Sequence, residues 1–346
     1  MTRSARRILD ANGNRAAEGL RVLEDVARFL LDDAALGERA KLLRHEVRGL
    51  VPADAAGDRD TAGDVGTAIT APDERARARP VDLVRANAAR VAEALRAGEE
   101  AAKLLGLPRA AAGLEQARYR AYQLESGLLS RLPAWLLHRV RLYALVDTSL
   151  TADPVGVAGA VARGGAGAVQ LRAKNLGARA YRELAARVQD AVRAAGALFV
   201  VNDHVAVARV LDADAVHVGQ DDLGLADVRA VLGARGAVGV SAHTAAQAEQ
   251  ALAAGADYLG LGPMHATATK PHEPERGPEL LDAVRDLLAT TRRPSYAIGG
   301  LDAARITALR ARLPHGVAVA GALCRAADPE RAAAELLLLL QPDEMA

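Results

Sequence analysis

Three polar side chains alternate with apolar residues in the segment AVQLRAKNL, residues 168–176. Gln170, Arg172 and Lys174 occupy every second position there. Because side chains two residues apart on a β-strand point to the same face, an amide and two cations would share that face. A guanidinium beside an ammonium predicts an anion-binding site, and a row of ion-paired residues at the rim of a sheet is the alternative.

Carboxylates follow the next two apolar segments along the chain. Asp203 ends LFVVND, and Asp221 and Asp222 follow AVHVGQ. Magnesium binds through one or two carboxylates and leaves positions for water and substrate phosphates, so Asp203 and Asp222 predict a Mg²⁺ site at neighbouring strand ends. Two alternatives stay open: these carboxylates cap the helices that follow, or Asp221 takes the place of Asp222.

Glycines end the last two apolar segments, at Gly299–Gly300 and at Gly321. Without a side chain, the backbone N–H groups of these residues can approach a phosphate closely. The charged site and this backbone site together indicate two phosphorylated substrates, or one bisphosphate.

The remaining candidate residues carry weaker signals. Lys270 lies in the long loop GPMHATATKPHEPERG, residues 262–277, which is typical of a lid over an active site; an ordinary surface lysine is the alternative. His217 falls inside an apolar segment and is predicted to be a packed core residue. His243 has no evident nucleophile partner, and Cys324 has no activating neighbour.

Eight short apolar segments must position these side chains, and Ala-rich helical stretches separate them. This alternation predicts an α/β fold, a (β/α)8 TIM barrel over 141–346, in which the working residues lie at the carboxyl ends of the strands. An open doubly wound sheet is the alternative. The segments are RLYALVD, AVQLRAK, LFVVND, AVHVGQ, AVGVSAH, YLGLGP, PSYAIGG and GVAVAGAL.

The residues before the barrel have a different composition, rich in Ala, Arg, Glu and Leu, which predicts a mainly α-helical N-terminal domain over 1–126. Residues 127–140 form a predicted junction, where Pro133 is expected to break helical continuity.

This N-terminal part contains an internal repeat. ANGNRAAEGLRVLEDVARFL, residues 11–30, aligns without gaps with ANAARVAEALRAGEEAAKLL, residues 86–105, and ten of the twenty positions are identical. Matched charged residues recur three apart, where they can pair on a helix. The repeat predicts either two solvated, ion-paired helices or a duplicated unit whose matched polar residues line an anionic site.

Bulk composition narrows the class of function. The chain has 346 residues with 44 Lys and Arg against 43 Asp and Glu, and 3% aromatic residues, so we expect no nucleic-acid partner. The single cysteine suits a reducing cytoplasm, and no apolar run predicts a membrane span or a signal peptide. The expected partners are small molecules, and a homo-oligomer is left open.

Several motifs resemble the thiamine-phosphate synthase family, over 141–341. They are QLRAKNL, VVNDHVAVARVLDADAVHVGQDDL, GVSAHT, DYLGLGPMHATATK and AIGGL. The resemblance implies condensation of 4-amino-2-methyl-5-(diphosphooxymethyl)pyrimidine with a thiazole phosphate, giving thiamine phosphate and diphosphate. It also implies a Mg²⁺-assisted reaction in which the bond to diphosphate breaks early, so no general base is needed.

The same resemblance implies roles for individual residues. Asp203 and Asp222 would bind Mg²⁺, and Arg172, Lys174, Ser241 and Lys270 would take part in catalysis. His265 and Ala266 depart from the family pattern at the thiazole side. The implied substrate-binding residues are Gln170, Leu171, Arg172, Ala173, Lys174, Asn202, Ser241, Thr267, Ala268, Thr269, Lys270, Gly300, Ala320 and Gly321.

The N-terminal part resembles a helical domain that is found fused to such synthases. For it the resemblance implies phosphorylation of the pyrimidine monophosphate, with ATP as a further ligand, although the sequence holds no P-loop pattern. The candidate phosphate contacts are Arg15, Arg21, Arg59, Arg90 and Arg96.

Other functions remain alternatives at the level of sequence. A thiazole tautomerase would share the barrel, but Thr267, Thr269 and Lys270 favour the synthase. An isomerase or aldolase would need a catalytic lysine or glutamate inside the barrel, for which Lys174 is the candidate. A non-catalytic barrel would bind phosphorylated ligands without releasing diphosphate.

Overall fold

The computed structural model describes residues 2–58, 80–233, 236–266 and 275–341. The chain divides into two compact units, Met1–Leu132 and Pro133–Ala346.

The first unit is helical. Its helices carry apolar residues three or four positions apart, such as Ala16, Leu20 and Leu23 on the first helix, and these stripes form the buried core. The elements are α1 (Thr2–Asp25), a π-helical turn (Val26–Leu30), α2 (Ala34–Leu50), a 3-10 turn (Ala53–Asp58), α3 (Pro80–Leu104) and α4 (Pro108–Leu137).

The repeat seen in the sequence is a duplicated pair of helices. The π-helical turn of five residues after α1 takes the place of the last four residues of α3, Ala101–Leu104. Matched positions are therefore 75 apart before the turn, as for Glu24 and Glu99, and 74 apart after it, as for the first residues of α2 and α4. The two halves thus share one architecture, with a single inserted residue in the first connection.

The duplication also repeats a buried ion-pair cluster. Glu24 accepts hydrogen bonds from Arg21 on its own helix, at 3.2 Å, and from Arg44 on α2, at 3.0 Å. Glu99 accepts from Arg96 at 2.8 Å, and Arg118 of α4 lies 3.5 Å from it. Of the i, i+3 pairs, Arg21–Glu24 and its counterpart Arg96–Glu99 are therefore present, and each cluster is centred on a buried carboxylate.

Pro133 does not break the helix, contrary to the prediction. Helix α4 continues from Pro108 to Leu137 with Pro133 inside it. A proline removes one backbone hydrogen bond and costs about 3 kcal/mol in a helix interior. Full burial of Leu128, Leu132 and Leu137 on either side offsets that cost.

The second unit is a closed barrel of eight parallel strands in sequence order, as predicted. Pairing of β1 with β8 closes the sheet, which rules out the open doubly wound alternative. The strands are β1 (Leu142–Asp147), β2 (Ala168–Arg172), β3 (Leu198–Asn202), β4 (Ala215–Val218), β5 (Ala237–Ala242), β6 (Tyr258–Leu261), β7 (Ser295–Ile298) and β8 (Gly316–Val319).

Helices cover the outside of the strands, so residues on both faces of the sheet are buried and the strands read as continuous apolar runs. The helices are α5 (Pro154–Arg163), α6 (Ala178–Ala194), α7 (Val205–Val210), α8 (Leu225–Leu232), α9 (Ala245–Ala253), α10 (Glu279–Thr291), α11 (Ala303–Leu309), α12 (Gly321–Cys324) and α13 (Pro329–Leu339), with a 3-10 turn at Arg310–Arg312.

Three tyrosines fill the barrel interior. Tyr143, Tyr258 and Tyr296 are buried together, with ring centroids 5.2–6.1 Å apart. Gly239 makes room for them, since a Cβ there would lie 2.1 Å from Cζ of Tyr258. Side chains therefore fill the middle of the barrel, and a cavity remains at the carboxyl ends of the strands.

Candidate active site

A cavity that opens to solvent lies at the carboxyl ends of the strands, where small-molecule sites of such barrels are found. Its lining includes residues from all eight strands or the turns after them: Tyr143, Leu145, Asp147, Gln170, Arg172, Lys174, Asn202, Asp203, His217, Gly219, Asp222, Ser241, His243, Tyr258, Gly260, Gly262, Pro263, Tyr296, Ile298, Gly299, Ala318 and Ala320.

The alternating polar residues in β2 and just beyond its end lie on this cavity. Gln170, Arg172 and Lys174 all line it, and the Gln170 amide donates to the Tyr143 hydroxyl at 2.9 Å. The intervening Leu171 and Ala173 point their side chains into the outer core instead. Only the backbone of those two residues is left to contact a substrate.

Both cations, Arg172 at the end of β2 and Lys174 two residues beyond it, are ion-paired. The Arg172 guanidinium contacts the Asp147 carboxylate, and Nζ of Lys174 lies 3.5 Å from Oδ2 of Asp203. The sequence left open whether these cations form an anion-binding site or ion pairs at the rim of the sheet. In the structure the same side chains form ion pairs and face the cavity, so the two descriptions are compatible.

Asp203 and Asp222 come together at the mouth of the cavity. Burial raises the pKa of Asp203, and a hydrogen bond with Asp222 and its charge raise it further, while Lys174 lowers it. Neither carboxylate is the N-cap of the next helix, since His204 and Gly224 hold those positions. This placement disfavours the capping alternative.

Asp222, rather than Asp221, lines the cavity. One oxygen of Asp222 accepts from the Gly219 N–H at 2.7 Å, which turns its carboxylate toward the ends of the strands. Asp221 is exposed.

Ser241 and two histidines form the next part of the lining. Nε2 of His217 and Oγ of Ser241 are 3.0 Å apart, so His217 is buried as predicted but also contacts a candidate catalytic residue. His243 is bonded through Nδ1 to the Gly262 carbonyl and so is oriented by backbone. Asn202 lines the same wall from β3.

The glycine-rich ends of β7 and β8 lie on the opposite side of the lining. Gly299 and Ala320 line the cavity, and Gly321 opens α12 next to them. Gly300 has a φ of 62°, and a Cβ there would lie 2.8 Å from the carbonyl oxygen of Ala266. Only glycine suits that position sterically and conformationally.

Several predicted residues lie outside the described part of the chain: Thr267, Ala268, Thr269 and Lys270 of the loop after β6, and Arg59 of the first unit. Elsewhere, Cys324 is buried and donates to the Leu145 carbonyl, and burial raises its thiol pKa, which agrees with the absence of activation expected from the sequence.

Sequence reasoning missed Asp147 and the interior tyrosines. Tyr143, Leu145 and Asp147 occupy alternate positions of β1 and all line the cavity. The period of two that singled out Gln170, Arg172 and Lys174 would have found them as well. Burial raises the pKa of Tyr143 above its ordinary value, so its hydroxyl stays protonated.

Comparison with known proteins identifies the family. The profile of the family described as Thiamine monophosphate synthase matches residues 142–323. A thiamine-phosphate synthase of Gloeobacter violaceus is 42% identical over 96% of this chain and 95% of its own length. One from Thermosynechococcus vestitus is 40% identical over 98% and 96%. The chain belongs to the thiamine-phosphate synthase family.

The match to the thiamine-phosphate synthases spans both units, and it makes this chain a transferase of thiamine biosynthesis. A solved structure, thiamine phosphate pyrophosphorylase from Pyrococcus furiosus, is 30% identical, with a TM-score of 0.54, over 59% of this chain and 97% of its own. The isomerase or aldolase alternative has no support from these relatives.

The first unit matches a second family. The profile of the ThiD2 family covers residues 7–127. Of the predicted phosphate contacts there, Arg15 and Arg90 are exposed, while Arg21 and Arg96 pair with the buried Glu24 and Glu99.

No helix in the described ranges combines the length and the apolar character that a membrane crossing requires.

Proposed function

We propose that the cavity binds the pyrimidine diphosphate over β2 to β5 and the thiazole phosphate beside β7 and β8. The observation that carries this proposal is the convergence of two cations, Arg172 and Lys174, with two carboxylates, Asp203 and Asp222, on one cavity. A diphosphate needs cationic partners, and Mg²⁺ needs carboxylates next to that diphosphate.

Asp203 and Asp222 are suited to hold Mg²⁺. After burial, the neighbouring Asp222 is the next reason why the pKa of Asp203 is raised, and a divalent cation bound to both carboxylates would remove that repulsion. Within the described ranges no group of three or more His, Cys, Asp or Glu side chains could hold a metal, so carboxylate ligands would be completed by water and substrate. When bound, Mg²⁺ would supply positive charge to the leaving diphosphate.

The residues of this chain then have distinct tasks. Arg172 and Lys174 bind the diphosphate oxygens and stabilise the negative charge that grows there as the carbon–oxygen bond breaks. Gln170, Asn202 and Ser241 orient the pyrimidine. The interior tyrosines close the bottom of the cavity to water.

The thiazole phosphate is assigned to the glycine-rich ends of β7 and β8. Gly300 and Ala320–Gly321 would present backbone N–H groups to it, with Thr267, Ala268 and Thr269 from the neighbouring loop. Lys270 would reach the departing diphosphate from the same loop. Because the thiazole nitrogen attacks a cation, no side chain needs to act as a general base.

The metal assignment is tested by a matched pair of neighbouring aspartates. We expect Mg²⁺-dependent diphosphate release from the wild-type protein with both substrates. Asp222→Asn should lower that release at least tenfold and raise the Mg²⁺ concentration needed for half-maximal rate, because a metal ligand is lost. Asp221→Asn, which changes charge equally, should keep both values near those of wild type.

Asp203→Asn should behave like Asp222→Asn in the same assay. Equal, unaltered turnover in Asp203→Asn and Asp222→Asn would remove the metal assignment, while no diphosphate release from the wild-type protein would remove the substrate assignment itself.

We propose further that the first unit phosphorylates the pyrimidine monophosphate with ATP and so supplies the barrel. The support is the ThiD2 match over 7–127. The test uses the full chain with ATP and the pyrimidine monophosphate and without the thiazole phosphate, so that the barrel has no second substrate with which to consume the product. Formation of ADP and pyrimidine diphosphate is the expected result, and ATP left intact would refute the kinase proposal.

A cytoplasmic location and a homo-oligomer stay predictions from the sequence.

A further inference from the structure

We propose that Asp147 is a positioning residue that acts through Arg172, holding the guanidinium toward the diphosphate. The proposal rests on the proposed role of Arg172 in binding that diphosphate. Asp147 is the last residue of β1, and it is the register partner of Arg172 on β2. Adjacent partners on a parallel sheet lie side by side, so the ion pair spans two neighbouring strand ends at the cavity wall.

The carboxylate of Asp147 is itself held on both oxygens. Oδ2 contacts the Arg172 guanidinium. Oδ1 accepts from the Ser149 N–H at 2.8 Å and from the Ser149 hydroxyl at 2.7 Å. A buried carboxylate with both oxygens engaged has little freedom to turn, so it can fix the orientation of the group it binds.

Arg172 is held much more firmly than Lys174, which lies two residues beyond the end of β2. The side chains of Arg172 and Asp147 are 13% and 3% exposed, whereas those of Lys174 and Asp203 are 52% and 23% exposed. The low exposure strengthens the Arg172 pair and limits its motion, whereas solvent screens the Lys174 pair. Arg172 is therefore pre-organised before substrate binds, and Lys174 is free to adjust.

A guanidinium can serve Asp147 and a diphosphate at once. It is planar and carries five N–H donors in a fixed fork, so one edge can bind a carboxylate while other donors face the cavity. Fixing one edge removes rotamer entropy that would otherwise be lost when the diphosphate binds.

The direction in which Asp147→Asn changes the affinity for the diphosphate distinguishes a positioning role of Asp147 from a direct interaction with the ligand. Asp147 lines the cavity and is negative, so its own Coulomb interaction with a diphosphate is repulsive. If Asp147 acted only by that charge, Asp147→Asn would tighten diphosphate binding. If Asp147 acts by positioning Arg172, the same substitution weakens binding.

The experiment is a double-mutant cycle on the full chain, read by calorimetric titration with the pyrimidine diphosphate in the presence of Mg²⁺ and without the thiazole substrate. Asp147→Asn should raise Kd about tenfold in the wild-type background, since a guanidinium that is no longer fixed loses rotamer entropy and alignment when the diphosphate binds. In the Arg172→Ala background it should leave Kd unchanged or lower it. The KM for the thiazole phosphate, measured separately, should stay within about twofold of wild type.

Ser149→Ala provides a second variant if Asp147→Asn folds poorly. It keeps the carboxylate charge and removes one of its hydrogen bonds, so it should raise Kd in the same direction by a smaller factor, and only when Arg172 is present. Both variants can be checked for folding by their melting temperatures.

The other possible results of the cycle contradict either the positioning role of Asp147 or the assignment of Arg172. Equal weakening by Asp147→Asn in both backgrounds, or tighter binding in the wild-type background, would overturn the positioning role. If Arg172→Ala itself left Kd unchanged, the assignment of Arg172 in the proposed function would fail, and the positioning role with it.

Discussion

Arg172 at the end of β2 and Lys174 two residues beyond it illustrate how burial gives similar side chains different tasks. Both face the same cavity and both pair with an aspartate, yet only Arg172 is shielded from solvent. Because a shielded pair keeps its geometry and an exposed pair exchanges with water, the first suits precise placement and the second suits adjustment during turnover.

At the scale of single residues, position 239 must be glycine because the ring of Tyr258 fills the space that a side chain would occupy. Gly239→Ala places a Cβ 2.1 Å from Cζ of that ring, so the ring must move into the cavity or against its neighbours. We expect a loss of about 1–3 kcal/mol in unfolding free energy, the usual cost of overpacking, and weaker substrate binding.

Thermal unfolding and substrate titration measure these effects. Gly49→Ala is the control, because the Cβ it adds meets no atom within 4 Å and lies in a helix. That substitution should raise stability slightly, since alanine is the better helix former. A Gly239→Ala protein as stable as Gly49→Ala would contradict the packing argument.

At the scale of elements, the duplicated helical unit shows how one inserted residue is absorbed. The π-helical turn at Val26–Leu30 takes up the extra residue, so α2 presents Arg44 to Glu24 as α4 presents Arg118 to Glu99. π-helical turns are a known way to accommodate an insertion within a helix.

This arrangement predicts that the inserted residue is dispensable. Deletion of Phe29, which is 71% exposed and lies within the turn, should convert the turn to the four-residue form seen in α3 and leave the melting temperature within a few degrees of wild type. Deletion of Leu42, 61% exposed within α2, should rotate every later residue of that helix by about 100° and abolish cooperative unfolding of the unit.

Circular dichroism melts of the two deletions decide between these expectations. Phe29 and Leu42 are both large, exposed and apolar, so the comparison isolates helical register from loss of side-chain contacts. Equal destabilisation by both deletions would show that the turn is not where the insertion is absorbed.

At the scale of the whole molecule, the amino-terminal end of the barrel carries the clearest pH dependence. Burial, together with the Arg141 charge, lowers the pKa of His315 to about 4, and its ring packs on Tyr296 with centroids 6.0 Å apart. The unfolded chain takes up this proton near pH 6.5, the ordinary value, whereas the folded protein resists it down to about pH 4. Stability that is fully present above pH 6.5 is therefore lost as the pH falls from 6.5 to 4.

His315→Gln should reduce this loss, because the amide does not titrate. The slope should not vanish, since burial also lowers the pKa of His138 nearby. Unfolding free energies measured from pH 8 to pH 4 test the prediction, with His45→Gln on the exposed face of α2 as the control. A His315→Gln profile parallel to that of wild type would contradict it.

The features that could be predicted from the sequence are those that recur periodically along the chain. The strands, their order around the barrel and the face occupied by Gln170, Arg172 and Lys174 all follow from local alternation. The helix through Pro133 was missed because a local rule for proline was outweighed by burial of leucines on either side.

The sequence by itself determined the fold class, the duplicated helical unit, the family and the residues that end each strand, because these depend on repeated patterns of apolar and polar residues. Only the tertiary structure decided which aspartate each cation contacts, that Asp222 rather than Asp221 faces the cavity, and that His217 contacts Ser241. Those choices depend on distances between side chains on different strands, and such distances exist only after the barrel has closed.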